Sequence, residues 1–354
     1  MQRSWQITYP INTCKLVFES YKSTPMKAKI VKCILLHFFI AIVSYANAQS
    51  TIKVTLLGTG APVPSIERFG PGILVEAGGQ KLLFDCGRGA AQRLWQLKIP
   101  LGKIDALFLT HLHSDHVVGI PDVWLTGWIP AVYGRRASPF RVFGPDGTKD
   151  MMENLVKAFS WDITTRSKEE NKVDSGVMVD PIDIKEGFIW QKNGVTVTPF
   201  TVRHAEFIDS ALGYRIDYAG HSVILSGDTR YSENLVRYAK GADVVIHEVA
   251  AASEKSIQTS PLINQILGFH TSPEDAGKVF EQIKPKLAVY SHIVLLTADP
   301  SIPPPTTQDL IQRTQKYYKG QLQVGEDLLS IEIGDQVKVF KYSGADSKPT
   351  EVIK

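Results

Sequence analysis

The chain has 354 residues, of which 44% are hydrophobic, and its 39 basic and 36 acidic side chains give a formal charge of +3. The near-neutral charge excludes a general affinity for nucleic acid. The small positive excess comes from residues 1–48, which hold six basic side chains and one acidic side chain. The remaining 306 residues carry 33 basic and 35 acidic side chains.

The first 48 residues predict a targeting segment. A basic stretch starts at Met26, an apolar stretch covers 33–43, and Ala46-Asn47-Ala48 has the pattern of a cleavage site. This is the form of a secretory signal peptide over Met26–Ala48, with an apolar stretch shorter than the roughly 20 residues of a membrane span. Residues 1–25 are interpreted as a disordered extension or an over-called start. We therefore predict an exported protein, periplasmic or secreted, with no membrane span after cleavage.

Residues 49–354 are predicted to form a single domain. Apolar runs predict strands at 52–57, 73–77, 81–85, 106–109, 141–143, 195–202, 211–217, 222–225, 244–248, 287–291 and 336–342. Helical patterns cover 90–97, 148–159, 233–239, 273–282 and 307–316. Strand clusters in both halves with interspersed helices fit two sheets that pack face to face under helices.

The most specific motif is the run from Thr110 to His116, which contains three of the nine histidines. Residues two apart on an extended chain point to the same side, so His111, His113 and Asp115 can converge, while a turn brings in His116. Imidazoles and carboxylates aimed at one point are ligands for divalent cations. Further candidates follow strand-like runs later in the chain: His204, Asp228, His247, Glu248 and His292.

These motifs, together with Leu57-Gly-Thr-Gly-Ala-Pro62 and Leu83-Phe-Asp-Cys-Gly-Arg-Gly89, resemble the metallo-β-lactamase superfamily. The closest resemblance is to its branch with metal-dependent arylsulfatases and ribonuclease Z. It covers about residues 52–340. The resemblance implies a fold of α/β (α+β) class, a four-layer αββα sandwich.

The resemblance also implies a binuclear metal centre with seven ligands. One ion would be held by His111, His113 and His204, the other by Asp115, His116 and His292, with Asp228 bridging both. Two Zn2+ ions are expected, with Mn2+ or Fe as alternatives, because mixed histidine and carboxylate ligands accept all three metals. A hydroxide shared between the ions would attack the substrate.

Leaving-group chemistry is assigned by the same resemblance. It suggests that His247 donates a proton and that Glu248 orients the imidazole, with Asp115 as a further catalytic residue; the alternative for His247 is a structural histidine at a strand end. Asp85 is predicted to orient a metal-bound histidine, or else to cap a strand end. His270 is predicted to hydrogen-bond a ligand or the substrate, or only to cap its loop.

The main functional hypothesis is an arylsulfatase-like hydrolase of aryl or alkyl sulfate esters. The run from His113 to Trp128 resembles the arylsulfatase branch most. Aromatic and arginine side chains in this region could grip a small anionic ester. The proposed contacts are Trp124, Trp128, Arg135 and Arg136. The alternative places the two tryptophans, four residues apart, on one helix face in the core.

The alternative hypothesis is a phosphodiesterase, acting on small or cyclic nucleotides or as a ribonuclease Z-like endonuclease that processes tRNA 3′ ends. Ribonuclease Z carries a tRNA-gripping arm where only 23 residues separate His204 from Asp228 in this chain. We therefore expect a small anionic ester rather than nucleic acid as the partner, and a homodimer is compatible with the family. A lactonase or β-lactamase is disfavoured by the His-Glu pair at 247–248.

Overall fold

The computed structural model describes residues 50–169, 174–206, 208, 210–344 and 350–353. The predicted signal peptide lies outside the described residues. Residues Gln49–Lys354 form one compact unit. In the described part of the chain, no helix combines the length and apolar character that crossing a membrane requires.

Sixteen strands are present among the described residues. The first eight are β1 (Ile52–Gly58), β2 (Gly72–Ala77), β3 (Gln80–Phe84), β4 (Ala106–Phe108), β5 (Phe140–Gly144), β6 (Val179–Asp183), β7 (Trp190–Lys192) and β8 (Val195–Val202). The others are β9 (Ala211–Tyr218), β10 (His221–Leu225), β11 (Val244–Ala252), β12 (Leu287–Leu296), β13 (Leu322–Val324), β14 (Ser330–Ile333), β15 (Val337–Lys341) and β16 (Thr350–Ile353).

The strands form two mixed sheets. The larger sheet has nine strands in the order β16-β15-β14-β1-β2-β3-β4-β5-β6, and the smaller has seven in the order β13-β12-β11-β10-β9-β8-β7. Strands β3 to β6 run parallel, as do β10 to β13. The carboxyl ends of parallel neighbours meet at one edge of a sheet, which is where side chains from distant sequence positions converge.

Nine α-helices lie on the two outer faces or in the loops of the described chain. They are α1 (Ala90–Gln96), α2 (Ser114–Val117), α3 (Thr148–Ala158), α4 (Ser160–Glu169), α5 (Glu233–Tyr238), α6 (Glu254–Thr259), α7 (Pro261–Leu267), α8 (Pro273–Ile283) and α9 (Thr307–Thr314). A five-residue π-helix covers Asp122–Thr126.

Three apolar clusters account for the layering. The central cluster joins the inner faces of both sheets, as in the burial of Phe84 and Phe108 with Tyr214 and Val289. A second cluster packs α5, α8 and α9 on the smaller sheet, and a third packs α1, α3 and the π-helix on the larger sheet. These layers are the predicted αββα sandwich, because each sheet buries one face against the other sheet and the opposite face against helices.

The structure extends two strands that carry functional residues. Strand β11 runs to Ala252 rather than ending at Glu248, and β12 runs to Leu296 rather than ending at Ser291. Short strands such as β6 were not predicted from the sequence. It contains Pro181 and two aspartates, and it lies at the edge of the larger sheet, where a proline is tolerated.

Candidate metal centre and active site

The predicted metal ligands come from four separate places in the chain. His111 and His113 lie in the loop after β4, and Asp115 and His116 lie on the short helix α2 that follows. His204 follows β8, Asp228 follows β10, and His292 lies inside β12. The structure brings all seven side chains together in three overlapping groups of ligand-type atoms: His111 with His113 and His204; His111 with His116 and Asp228; and Asp115 with His116 and His292.

The spacing of these atoms fits bound ions. His204 Nε2 lies 3.4 Å from His113 Nδ1, and His292 Nε2 lies 3.4 Å from Asp115 Oδ2. Ligands about 2.0–2.2 Å from a tetrahedral ion are about 3.3–3.6 Å from one another. The two halves of the cluster therefore have the dimensions of two neighbouring metal sites.

Asp228 occupies the position between the two halves. Its Oδ2 atom is 3.2 Å from His292 Nε2, 3.5 Å from His116 Nε2, 3.9 Å from His204 Nε2 and 4.0 Å from His111 Nε2. One carboxylate that faces ligands of both halves has the position that a bridging ligand requires.

Several atoms of the cluster are buried without a protein partner. His111 Nε2, His116 Nε2 and Asp228 Oδ1 make no hydrogen bond to any described residue. Leaving a buried polar atom unpaired costs about 1–3 kcal/mol, and more when it is charged. A bound cation would satisfy these atoms, so the residues present fit the divalent ions that the sequence implied.

The other nitrogen of three imidazoles is held by the protein. His116 Nδ1 is 2.8 Å from Asp85 Oδ2, His204 Nδ1 donates to the Phe269 carbonyl at 2.9 Å, and His111 Nδ1 is 3.0 Å from Thr110 Oγ1. Such contacts fix the ring orientation and point Nε2 at the ion. Asp85 therefore occupies the orienting position predicted for it, while the sequence gave no signal for the role of Phe269, which acts through its backbone.

The charge state of the cluster suits metal binding. Burial lowers the pKa of His111 well below its usual value, and burial also lowers the pKa of His204. Burial opposes ionisation of Asp228, but His292 and His116 hold its pKa well below the usual range. Neutral imidazoles around an ionised carboxylate are the forms that coordinate a cation.

His116 carries the proton that a cation must displace. Burial disfavours the charged ring, but attraction to Asp228 and Asp85 raises the pKa of His116 well above its usual value. Metal binding at this imidazole therefore releases a proton, and protons compete with the metal.

The structure places His247 and His270 differently from the sequence prediction. Successive side chains of a strand point to opposite faces, so only one member of the His247-Glu248 pair can face the cluster. The His247 ring is buried, packs edge-on against Phe280 at 5.8 Å between centroids, and donates from Nδ1 to the Glu248 carbonyl. The prediction that His247 donates a proton to the leaving group is therefore wrong, because its ring faces the helix layer.

Glu248 instead orients His270. Its Oε1 atom is 3.2 Å from His270 Nδ1 and accepts the backbone N–H groups of Thr229 at 3.0 Å and Thr271 at 3.1 Å. The His270 ring lies between His204 and His292: it is tilted at 58° to the His204 ring, with 5.0 Å between centroids, and stacks on the His292 ring, with 5.6 Å between centroids. Burial disfavours its charged form, but Glu248 raises the pKa of His270 to about 9. The residue beside the cluster that carries a proton at neutral pH is His270.

Three of the four predicted substrate contacts are structural. Trp124 is fully buried and donates its indole N–H to the Val177 carbonyl, and Trp128 is 2% exposed. Arg136 is 4% exposed and donates to the carbonyls of Trp124 and Leu101. These three side chains cannot grip an ester, because they are enclosed by the protein; the alternative that placed the tryptophans in the core is correct.

Arg135 is exposed but faces a different part of the surface. It lines a groove with Lys81, Lys103, Arg141 and Lys192, and this groove contains no residue of the metal cluster. A shallow pocket that does contain His111 and His113 is lined by Pro145, Asp146, Ile208 and Ser210. The sequence offered no signal for these loop residues, because they are brought beside the cluster only by the fold.

Comparison with known proteins agrees with this geometry. Residues 80–293 match the model of the beta-lactamase superfamily domain, which is more than half of the chain. The αββα sandwich with a His/Asp cluster at the strand ends defines a metal-dependent hydrolase, and the chain belongs to the metallo-β-lactamase superfamily.

Within that superfamily, the chain is similar to ribonuclease Z of Mycolicibacterium gilvum (strain PYR-GCK), with 33% identity over 282 residues that cover 80% of this chain and 96% of the relative. Its fold is similar to the metallo-beta-lactamase fold protein YhfI of Bacillus subtilis, with a TM-score of 0.60, 18% identity, and 80% and 100% of the two chains covered. Its fold is also similar to human tRNase Z, short form, with a TM-score of 0.56 and 21% identity; the match covers 79% of this chain and 98% of the human chain. The predicted superfamily and fold are confirmed. The sequence relative supports the phosphodiesterase alternative rather than the arylsulfatase hypothesis.

Proposed function

We propose that this protein is a metal-dependent phosphodiesterase in which His270 protonates the leaving oxygen. The observation that carries the proposal is the Glu248–His270 pair, held beside the seven-residue metal cluster. Hydrolysis of an alkyl phosphodiester expels a poor leaving group, so a positioned proton donor contributes typically about 10²–10⁴-fold. The similarity to a protein named ribonuclease Z supports the same ester class.

Each residue of the site then has a defined task. Divalent cations, when bound by the seven ligands, would supply an activated water and stabilise the charge that builds on the phosphoryl group. Burial raises the pKa of Asp115, but the hydrogen bond with His292 and the nearby imidazoles outweigh this effect, and the net pKa is lowered. Asp115 is therefore ionised at neutral pH, and its carboxylate can accept a hydrogen bond from the attacking water. Glu248 holds the His270 ring in place through Nδ1, and the ring delivers a proton to the leaving oxygen.

We further propose that the substrate is a small phosphodiester or an unstructured RNA end. Between His204 and Asp228, the described residues form the β9–β10 hairpin, closed by a two-residue turn at Ala219 and Gly220. Both turn residues have positive φ, as a type I′ hairpin turn requires. A hairpin of this size offers little surface for gripping a folded RNA. Export through the predicted signal peptide is part of this proposal and would place the enzyme among extracellular or periplasmic substrates.

The sulfate-ester hypothesis loses part of its support. It rested on the resemblance of the run from His113 to Trp128 to arylsulfatases and on four proposed contacts, of which Trp124, Trp128 and Arg136 are buried in the protein. The metal cluster alone does not distinguish sulfate from phosphate, because both are anionic esters that two cations would stabilise.

The proposal is tested by comparing substrates with good and poor leaving groups. The purified protein with added Zn2+ or Mn2+ should hydrolyse bis-p-nitrophenyl phosphate faster than p-nitrophenyl sulfate, and His111→Ala serves as the blank.

The His270→Gln substitution should slow hydrolysis of the dinucleotide UpU by about 10²–10⁴-fold but slow the nitrophenyl ester by about tenfold or less, because nitrophenolate needs no proton. Faster sulfate turnover, or equal losses on both phosphodiesters, would contradict the proposal.

A further inference from the structure

A basic groove lies at the end of the larger sheet that is opposite to the metal cluster. Strands β3 to β6 run parallel, and the metal ligands His111 and His113 follow the carboxyl end of β4. The groove lies at the amino ends of these strands, where Asp105 precedes β4 and Arg141 is the second residue of β5. A strand rises about 3.3 Å per residue, so the five residues of β5 separate the two ends by roughly 15 Å. One small ester therefore cannot contact both places.

The groove is large enough for a ligand and is positively charged. Its volume is about 810 Å³, within the range of about 300–1,000 Å³ that is usual for small-molecule sites. Five cationic and two anionic side chains line it: Lys81, Lys103, Arg135, Arg141, Lys192, Asp105 and Asp180. The lining therefore has a formal excess of three positive charges, which predicts an anionic ligand.

Both carboxylates of the groove already have cationic partners within it. Asp105 Oδ1 is 3.6 Å from Lys192 Nζ, and Asp105 Oδ2 accepts the Lys81 backbone N–H at 2.8 Å. Asp180 Oδ2 is 3.6 Å from Arg141 Nε. The negative charges of the lining are thus matched inside the groove, and the excess positive charge is left for a ligand.

Two cations of the groove have no partner. Lys81 Nζ is 3.0 Å from Glu76 Oε1, outside the groove. The side chains of Lys103 and Arg135, in contrast, are exposed and have neither an ion pair nor a hydrogen bond among the described residues, and the same holds for the Ser138 hydroxyl. An anion can contact these three groups without first breaking an ion pair.

The backbone holds the two unpaired cations on adjoining segments. A Cβ atom at Gly102 would collide with the Gly134 carbonyl oxygen, so the turn before Lys103 packs directly on the segment that contains Arg135. The buried Arg136 side chain joins the same two segments, because it donates to the carbonyl of residue 101 at 2.9 Å. Two like charges fixed in this way repel each other until an anion binds between them, and little ordering is needed when it does.

We propose that this groove binds a linear oligophosphate of three or more phosphate groups. Such a chain carries at least three negative charges, which match the excess of the lining, and its oxygens accept hydrogen bonds from lysine, arginine and serine. No aromatic side chain of the described residues lines the groove, so no ring is available to stack on a base. This favours an inorganic chain over a nucleotide or an RNA strand. The ligand is distinct from the ester at the metal cluster, and the proposal does not depend on the proposed function.

Isothermal titration calorimetry with tripolyphosphate tests the groove in the metal-loaded protein. The double variant Lys103→Gln/Arg135→Gln should bind about 10–100-fold more weakly than wild type, because it loses two charged hydrogen-bond donors. The charge-retaining variant Lys103→Arg/Arg135→Lys should keep most of the affinity. The matched control is Lys240→Gln/Lys255→Gln, which removes the same charge from exposed lysines outside the groove and should bind like wild type.

The metal cluster is a second place where tripolyphosphate can bind, so the titration is repeated with His111→Ala. Binding that depends on Lys103 and Arg135 should persist in this variant, and its loss would move the ligand to the metal cluster and refute the groove. Absence of binding to wild type, or equal affinities of wild type and Lys103→Gln/Arg135→Gln, would also refute it. Tighter binding of oligouridylate that is lost in this double variant would replace the oligophosphate by an RNA strand.

Turnover separates this proposal from the proposed function. The Lys103→Gln/Arg135→Gln variant should hydrolyse bis-p-nitrophenyl phosphate at the wild-type rate, because the groove contains no residue of the metal cluster. A large loss of turnover in this variant would contradict a separate site. Absence of hydrolysis in wild type would refute the proposed function and leave the binding result intact.

Discussion

Two residues of the metal centre have a positive φ angle, which residues other than glycine rarely adopt. The φ angle is 55° at Asp85 and 43° at His292. Such conformations cost of order 1–3 kcal/mol each and persist only where surrounding contacts determine them. At Asp85 these contacts are the backbone N–H and the hydroxyl of Thr110, at 2.8 and 2.9 Å. The strain is offset by hydrogen bonds that aim the carboxylate at His116.

The Asp85→Asn substitution tests this orienting contact. An amide nitrogen cannot accept the hydrogen bond from His116 Nδ1, so the ring loses its fixed orientation and part of its basicity. We expect metal affinity to fall by about 10–100-fold, measured by competition with a chromophoric chelator. Asp105→Asn is the control, because Asp105 accepts the Lys81 backbone N–H at the start of β4, away from the cluster. Equal affinities in wild type and Asp85→Asn would show that His116 is oriented without Asp85.

The pH dependence of turnover reports on His270. Its protonated form is the donor, and Glu248 raises its pKa to about 9 against the effect of burial. The donor is therefore loaded at pH 7 to 8 and is lost as the pH rises through about 9. We expect kcat for UpU to decline above that pH, and the decline to be absent from the residual activity of His270→Gln. If turnover of His270→Gln still declined above that pH, the group that titrates would be a residue other than His270.

Candidates for the metal ligands could be found in the sequence because they follow apolar runs and five of the seven are histidines, of which the chain has nine. The resemblance to the superfamily then selected the seven from these candidates. The residue that serves the leaving group could not be predicted, because alternation places His247 and Glu248 on opposite faces of the strand but does not say which face meets the cluster. In the continuous strand, alternation directs Glu248 to the cluster and His247 to Phe280. His270 lies in a loop, where no periodicity reveals the direction of a side chain.

At the scale of single elements, the π-helix over Asp122–Thr126 explains why the aromatic segment after the metal motif is structural. A π-helix widens the helical turn and shifts its backbone hydrogen bonds, which leaves carbonyl groups to be satisfied by other donors. Arg136 donates to two such carbonyls, Trp124 O at 2.8 Å and Val123 O at 3.4 Å, while its guanidinium lies over the Phe140 ring at 4.4 Å. It also donates to Leu101 O, outside the π-helix, at 2.9 Å. The sequence shows that arginines and tryptophans occur in the same segment, but it does not show that the Arg136 side chain binds backbone carbonyls.

Replacement of Arg136 by methionine should therefore destabilise the fold. The change keeps the apolar stem but leaves buried carbonyls without donors, and we expect the free energy of unfolding to fall by about 3 kcal/mol. Urea denaturation measures this loss. Arg135→Met changes the exposed neighbour and should stay within about 0.5 kcal/mol. A loss for Arg136→Met as small as that expected for Arg135→Met would mean that the hydrogen bonds of the Arg136 guanidinium do not stabilise the protein.

At the scale of the whole molecule, the N-terminal segment is predicted to be removed. The compact unit starts at Gln49, the residue after the predicted cleavage site, so its removal would leave this unit intact. We expect the protein expressed in a Gram-negative host to be recovered from the periplasmic fraction with Gln49 as its first residue, as measured by mass spectrometry of the intact protein. A matched Ala48→Pro variant should remain uncleaved. Recovery of unprocessed wild-type protein from the cytoplasm would contradict export.

The position of β1 in the larger sheet has a consequence for the time course of synthesis. Although β1 is the first strand after the predicted cleavage site, it lies between β2 and β14, and its pairing of Ile52 with Ile333 waits for nearly the whole chain. One edge of β1 therefore stays open while the ribosome adds the remaining residues, and contacts of such long sequence separation form slowly. For the export that the signal peptide predicts, this delay would keep the larger sheet from closing before translocation has begun.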